Sequence, residues 1–586
     1  MRLLPLLVTL SASLVAWTIL FSSIPLGQQN FPLFDDWSFA QSALIFAKGE
    51  GIEYGHWAAM PQFGLWLWAF PFIRLLGGSY PVLRAATIIL SWLGLAAFYD
   101  LLTFRRPQAA PVAAFTTAVL AFNPFFFVLS GAFMTDVPTL SFCLIGLSLY
   151  QRAMESDSGW MWLAAGLVAI VAVSTRQNAW ALPLTASTMI VIQAPFGSPF
   201  PSSGGSGYGE GGPSQTEDLR RRVGPLAWAA GLLPLAVGIG VHIWFRAQPD
   251  VLHPPLFFES RPAGSRANLP DPHAILILPF LVAHWLGLTA WPIAALLPRI
   301  PWRRGVVWAA ALLLCAAYWW RYGYMIPHGG LFPYWDGIFS PAGFVSEELV
   351  PGQRPVLLGL LSRIIVSIIG CLLGAGLLAR IVRRSRRTPG FSRRLAMGDS
   401  LGTDSRMLLV FTFFSLCAML ATPRIYDRYI LFLMPGLLAA AQRMFSGDRP
   451  IWPAGLAALA ALAALSACFT HDLWAWNAAR WQLGRRALAD RIPAADIEGG
   501  FEWDGYHAFL SRPPNWGHRS TLVTSLDATF FPHVTGRYAL SFSHLPDSEV
   551  SQEATYRTWL PPATHPFYLL KAKGTQSAPS SSPRPR

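Results

Sequence analysis

A succession of apolar runs, most close to the length of a lipid bilayer, leaves this chain few ways to fold. A membrane-crossing helix needs roughly 20 predominantly apolar residues, because it rises about 1.5 Å per residue through about 30 Å of hydrocarbon. Such runs fall at 3–24, 82–103, 109–131, 137–152, 159–175, 178–195, 224–245, 274–297, 305–326, 355–381, 407–422, 428–444 and 451–469. Helices satisfy their own backbone hydrogen bonds inside lipid, so runs of this length imply a polytopic α-helical membrane protein with about 13 transmembrane helices. Hydrophobic residues are 53% of the chain and charged residues 13%, which excludes a simple soluble protein. The first run follows Met1-Arg2 and has no small-x-small site before Pro25, so it reads as an uncleaved first helix.

The basic residues alternate between the links. Arg105 and Arg106, Arg152, Arg220 to Arg222, Arg299, Arg303 and Arg304, Arg380 to Arg394, then Arg443 and Arg449 occupy every second link. The intervening links carry fewer. The positive-inside bias makes the first set cytoplasmic and places the N-terminus inside and the C-terminal region outside. The formal charge of +13 therefore anchors the links against anionic lipid headgroups. No basic domain with interleaved aromatics is present to bind nucleic acid. The five cysteines form no CxxC pair, so nothing points to a zinc or redox motif.

The reading divides the chain at 1–445, a transmembrane catalytic module; 446–469, a final transmembrane helix; 470–575, a small extracytoplasmic α/β domain; and 576–586, a disordered Ser/Pro-rich tail. Within the α/β domain, His471 to Arg491 reads as an amphipathic helix, and Tyr538 to Phe542 and Phe567 to Leu570 read as strands. The link Ser198 to Asp218 is a Gly/Ser/Pro-rich flexible linker with no GxxxxGK[ST] phosphate loop.

The polar residues of interest gather in the outward links. Asp35 and Asp36 follow the first span, and two adjacent carboxylates at a membrane edge need work or partners; a solvated turn is the alternative. The stretch Phe39 to Phe72 reads as elements lying along the outer surface around this pair. Asp136 precedes Val137-Pro138 and reads as a helix cap, which can also face a site. Arg176, flanked by Gln177 and Asn178, suits a lipid phosphate or snorkels from a hairpin tip. Arg428, in Tyr426-Asp427-Arg428-Tyr429, is similar, or pairs with Asp427. His328, Asp336, Glu347 and Glu348 form a solvated loop, or line a sugar site or help hold a divalent metal.

Taken in order, these features resemble the GT-C superfamily of polyprenyl-phosphate-sugar-dependent glycosyltransferases. The nearest branch is the bacterial family 39 type, with protein mannosyltransferases and the aminoarabinose transferase. The resemblance rests on Asp35-Asp36 after helix one, Asp136 in Thr-Asp-Val-Pro, Arg176-Gln177, and the aromatic-Asp-Arg-Tyr segment at Tyr426 to Tyr429. Gly499-Gly500-Phe501-Glu502-Trp503 also looks like a segment of bacterial relatives. Many relatives carry Asp-Glu where this chain has Asp35-Asp36. The resemblance implies a multi-pass protein of the bacterial inner (plasma) membrane, a polyprenyl-phosphate-sugar donor, and a lipid, glycan or protein acceptor. It implies Asp35, Asp36 and Asp136 as catalytic carboxylates, with Asp35 as base and the other two orienting the acceptor or a divalent metal ion. Arg176, Gln177, Arg428 and His328 are the expected substrate-binding residues.

Two other classes compete. A transporter or lipid flippase would carry acids within its spans and show internal repeats. Few such acids and no evident repeat occur. A non-catalytic envelope-assembly subunit would use its outer domain to bind partners, and no residue pattern speaks for it.

Overall fold

The computed structural model describes the chain outside residues 1–2, 56, 105, 157, 194–223, 249–250, 252–271, 299–301, 323–337, 341–342, 344–349, 388–402, 421–425, 446–448, 512–530, 532–533 and 574–586. The linker at 198–218, His328 with Asp336, Glu347 and Glu348, and the 576–586 tail lie outside the described residues.

Each of the expected apolar intervals holds a helix. In order come α1 (Leu4–Ser23), α2 (Asp36–Lys48), α3 (Phe63–Leu76), α4 (Tyr80–Thr103), α5 (Ala110–Ala121), α6 (Pro124–Ser130), α7 (Asp136–Glu155), α8 (Gly159–Val173) and α9 (Ala181–Gln193). The helices Pro225–Arg246, Pro272–Thr289, Trp302–Tyr322, Leu360–Arg387, Thr403–Leu420, Met434–Gln442 and Trp452–Ala489 follow. Among the described residues, five helices are long and apolar enough to cross a membrane, or six if α5 and α6 form one broken span. The expected count of about 13 rests on the apolar runs, several of which include residues outside those described. The protein is a multi-pass membrane protein. Leu7, Val8, Leu14, Val15 and Ile19 of α1 are all exposed, as lipid-facing side chains must be.

The 109–131 run expected as one span bends by 66° between α5 and α6. The cause is local. Pro124 has no N–H to continue the ladder, and the Asn123 side chain caps the new helix by accepting from Phe125 N at 3.0 Å.

The last span and the expected amphipathic helix after it are one helix of 38 residues, Trp452–Ala489. At about 1.5 Å per residue it runs about 57 Å, well beyond a hydrocarbon core of about 30 Å. The boundary read at 469/470 therefore has no break in the chain. Further along, Trp474 joins Trp17 of α1 with ring centroids 6.0 Å apart, so this helix is core to both regions.

A four-stranded sheet docks on the far half of the long helix. Its strands are β1 (Ile497–Glu498), β2 (Tyr538–Ser541), β3 (Ser548–Trp559) and β4 (Pro562–Ala572), in the order β1-β2-β4-β3. β1 runs parallel to β2, and the other pairs are antiparallel. Asp472 on the helix accepts from Trp559 N at 2.6 Å and Leu560 N at 3.1 Å, and His471 stacks on Trp559. These contacts fix the β3–β4 turn. The strands expected at 538–542 and 567–570 correspond to β2 and β4. β3 was not expected, because Glu549, Gln552, Glu553 and Arg557 give this edge strand little apolar signal.

Candidate active site

The link after α1 is held rigidly from beneath. Gln29, fully buried, donates from Nε2 to Phe21 O and Ile24 O, each at 2.6 Å. Arg84 of α4 reaches up to Gln29 O at 2.8 Å and Phe31 O at 2.5 Å. Phe34 then turns into the left-handed region with φ +57°, an uncommon conformation for a residue with a Cβ. Asp35 and Asp36 follow at the start of α2.

The adjacent carboxylates have different surroundings. Asp36 is fully buried; Oδ1 accepts from Leu33 N at 2.6 Å and Oδ2 from Phe133 N at 3.2 Å. It ties the first link to the segment before α7. Asp35 is 18% exposed at its side chain. Its Oδ1 accepts from Trp57 Nε1 at 2.7 Å, and its Oδ2 lies 3.6 Å from Arg428 Nη2.

Neither of these adjacent carboxyls owes its raised proton affinity chiefly to the other. Burial comes first in raising the Asp35 carboxyl. Arg428 and the Trp57 hydrogen bond oppose it, and the carboxylate that adds to the rise is Asp136. Burial likewise pushes Asp36 up to about 8, against Arg84 and the two backbone donors.

Asp136 is the first residue of α7, where the helix dipole favours negative charge, and it is fully buried. The residue before the helix is Thr135, and no side chain caps this terminus, so the capping role expected for Asp136 is not what it performs. Instead Asp136 Oδ1 pairs with Arg176 Nη1 at 2.8 Å and Arg428 Nε at 3.6 Å. Arg176 also donates to Thr135 Oγ1 at 3.0 Å and is only 3% exposed, so it is no snorkelling side chain.

The Tyr426-to-Tyr429 segment interleaves with these groups. The Arg428 guanidinium lies over the Tyr426 ring at 4.9 Å, and that of Arg176 lies over Tyr429 at 5.2 Å. Asp427 is not the side-chain partner expected for Arg428. Its carboxylate accepts from the backbone N–H groups of Ile338, Phe339 and Arg428, the last at 2.6 Å. It thereby fixes the segment and leaves Arg428 to face Asp35 and Asp136. Burial pushes Asp427 up to about 6.

Gln177 donates to Ala59 O at 3.0 Å. Gln62 N and Phe63 N donate to Thr175 O and Ser174 O at 3.1 and 2.9 Å. The segment bearing Trp57 is thus laced to the hairpin bearing Arg176.

Four separate segments therefore bring Asp35, Asp136, Arg176 and Arg428 together. Asp36 supports the site from behind, and Gln177 supports it from the side. Trp57, Thr135 and Glu502 belong to the same assembly and were missed as site residues; only the Gly499-to-Trp503 segment carried a signal. Of the expected metal ligands, Asp36 has both oxygens on backbone donors, and Asp136 has Oδ1 against the two arginines. Among the described residues no group of three or more His, Cys, Asp or Glu gathers as metal ligands. A divalent-cation cage takes several converging oxygens, and this donor set does not fit one.

Residues 60–205 match the family model of the dolichyl-phosphate-mannose-protein mannosyltransferases. That stretch holds Asp136, Arg176 and Gln177, and it supports the family resemblance read from the ordered acids and arginines. Among solved structures, the chain is similar to ArnT from Cupriavidus metallidurans bound to undecaprenyl phosphate, at 12% identity and a TM-score of 0.38, over 97% of this chain and 99% of that one. The apo state of the same protein gives 13% identity with the same coverage and TM-score. None of the curated proteins matches the chain.

Proposed function

We propose that the protein is a glycosyltransferase that moves a hexosyl or pentosyl group from a polyprenyl-phosphate-linked donor to an acceptor at the outer face of the membrane. The observation that carries this reading is the convergence of Asp35 and Asp136 with Arg176 and Arg428. A partly exposed carboxylate beside a partly exposed guanidinium provides a base and a phosphate ligand in one place. The full topology consistent with it has about 13 transmembrane segments, the N-terminus in the cytoplasm of a bacterium and the sheet-bearing domain outside.

Asp35 Oδ2 takes the proton of the acceptor hydroxyl as that oxygen attacks the anomeric carbon. The bond from the anomeric carbon to the phosphate oxygen breaks on the opposite face, and the polyprenyl phosphate leaves with the electron pair. The outcome is inversion by single displacement. Arg428 is the primary phosphate ligand, because it combines 11% side-chain exposure with two loose contacts at 3.6 Å. Its fixed charge meets the charge that develops on the leaving phosphate. Arg176, tightly held by Asp136, sets the position of that carboxylate and adds positive potential. Phosphate is a good leaving group, so the paired general acid of a glycosidase is not required.

The test is incubation of the purified protein with labelled polyprenyl-phosphate sugars and an envelope extract. Transfer of label to an acceptor with inverted anomeric configuration is expected. Movement of the donor across vesicles without glycosyl transfer would overturn the reading in favour of a transporter.

A further inference from the structure

The helix Phe501–Ser511, far along the chain from the first link, reaches two neighbours of Asp35, the backbone of Phe34 and the ring of Trp57. Glu502 Oε1 accepts from Phe34 N at 3.3 Å. The other oxygen, Oε2, accepts from Arg480 Nη1 at 3.0 Å and Nη2 at 3.1 Å. Arg480 is fully buried and itself immobilised: Nη2 donates to Asn477 Oδ1 at 2.8 Å, Nη1 to Gly499 O at 3.3 Å, and the guanidinium lies over Trp476. Glu502 is therefore anchored on the long helix and presents one oxygen to the residue before Asp35.

That residue, Phe34, has the left-handed φ of +57°. A residue with a Cβ stays in this region only when its surroundings determine it. The neighbouring Phe501 acts from the other side. Its ring meets Trp57 edge-on at 4.7 Å, and Trp57 donates to Asp35 Oδ1. Trp37 of α2 also packs edge-on against Phe501, and it lies so close to Gly505 that an added Cβ would meet it at 2.5 Å. Turn, carboxylate partner and helix start are thus all held by one short helix of the C-terminal region.

We propose that Glu502 and Phe501 are positioning residues for Asp35. Glu502 holds the backbone turn through Phe34, and Phe501 holds the carboxylate through Trp57. The role as base positioning rests on the reading of Asp35 given above. It assigns the C-terminal region a part in the reaction rather than a separate outer function.

The experiment uses the full-length protein in detergent and the variant Glu502→Gln, which keeps the side-chain shape. Misplacement of a reacting group by about 1 Å costs on the order of 10²-fold. We expect kcat to fall about ten- to hundred-fold with the donor KM within about two-fold. In an Asp35→Asn background the same change should cost less than about three-fold, because the group it positions is gone. Peptide-mapped carbodiimide labelling of Asp35 should also rise several-fold as the turn loosens. Full kcat in folded Glu502→Gln, or an equal loss in both backgrounds, would overturn the proposal. Unchanged labelling overturns it even if the wild type transfers no sugar, which would separately end the glycosyltransferase reading. Should Glu502→Gln not fold, Phe501→Leu probes the Trp57 side with the same expectations and the same overturning results.

Discussion

The Arg428 guanidinium lies 3.6 Å from the Asp35 carboxylate and joins the second residue pair of the site through Asp136. Both contacts are longer than a hydrogen bond, which normally closes to about 2.7–3.2 Å. Arg176, in contrast, closes on Asp136 at 2.8 Å. The two arginines should therefore fail differently when changed.

Arg428→Gln should raise the donor KM about ten-fold or more, since a hydrogen bond to a charged group contributes about 1.5–3 kcal/mol. Arg176→Gln should act first on stability. It leaves Asp136 as a buried charge with a weaker partner, and breaking such a pair costs about 3–5 kcal/mol. Adding Asp136→Asn to Arg176→Gln should restore part of the melting temperature. Donor titration and detergent-phase melting check both; an Arg428→Gln variant with unchanged donor KM would remove Arg428 from phosphate binding.

Gly64, near the start of α3, sits where an added Cβ would meet Thr175 Oγ1 and the Val171 carbonyl. Backbone cannot yield as a flexible side chain can. Gly64→Ala should push α3 from α8 and loosen the strap between Gln62 and Thr175, with a loss of about 1–3 kcal/mol for overpacking. Because that strap lies between Trp57 and Arg176, kcat should fall as well. A variant with wild-type melting temperature and kcat would show that the two helices separate freely.

The fold was legible where composition alone decides it. Each apolar run located a helix, since a chain crossing lipid must satisfy its own backbone hydrogen bonds, whereas α2, α3 and Phe501–Ser511 lie outside those runs. The 66° break at Asn123-Pro124 escaped because one polar residue and one proline leave the run of 109–131 apolar on average. The continuous Trp452–Ala489 helix escaped because polarity rises near His471 while helix-forming residues continue. At the site, Asp35, Asp136, Arg176 and Arg428 were legible as charges in links of an apolar chain. Their pairing was not, because it depends on which links meet in space. Sequence spacing suggested Asp427 for Arg428, but backbone donors claim Asp427. Trp57 and Glu502 were hidden for the same reason: one was a belt aromatic among many, and the other lay in a segment of unassigned role.

Stability should fall as pH rises through neutrality. Burial pushes Asp36 from an ordinary value of 3.8 up to about 8, and Asp427 up to about 6. Between those limits the folded chain keeps a proton that the unfolded chain has released. The contribution is fully present below the unfolded value and is lost as pH rises through the folded one. Melting temperature in detergent should therefore decline from about pH 5 to about pH 8. Asp36→Asn, which cannot ionise, should flatten the upper part of that decline. A slope unchanged by the substitution would place the titrating group elsewhere.

The two adjacent carboxylates should separate cleanly by mutation. Asp35 has one oxygen on Trp57 and the other turned toward Arg428, with part of its side chain exposed. Asp36 is fully buried with both oxygens on backbone donors. Asp35→Asn keeps the acceptor for Trp57 but cannot take a proton, so kcat should drop by about two to four orders of magnitude with the donor KM nearly intact. Asp36→Asn keeps one acceptor and turns an amide toward the second donor, so its first effect should be on melting temperature, and any loss of kcat should follow the loss of folded protein. Asp136→Asn should weaken both arginines at once, raising the donor KM together with lowering kcat. Steady-state kinetics on the three variants, each normalised to its folded fraction, distinguishes these patterns. Near-normal kcat in Asp35→Asn with a collapse in folded Asp36→Asn would move the base to the buried carboxylate, and retained activity in all three would leave the acidic pair as a turn.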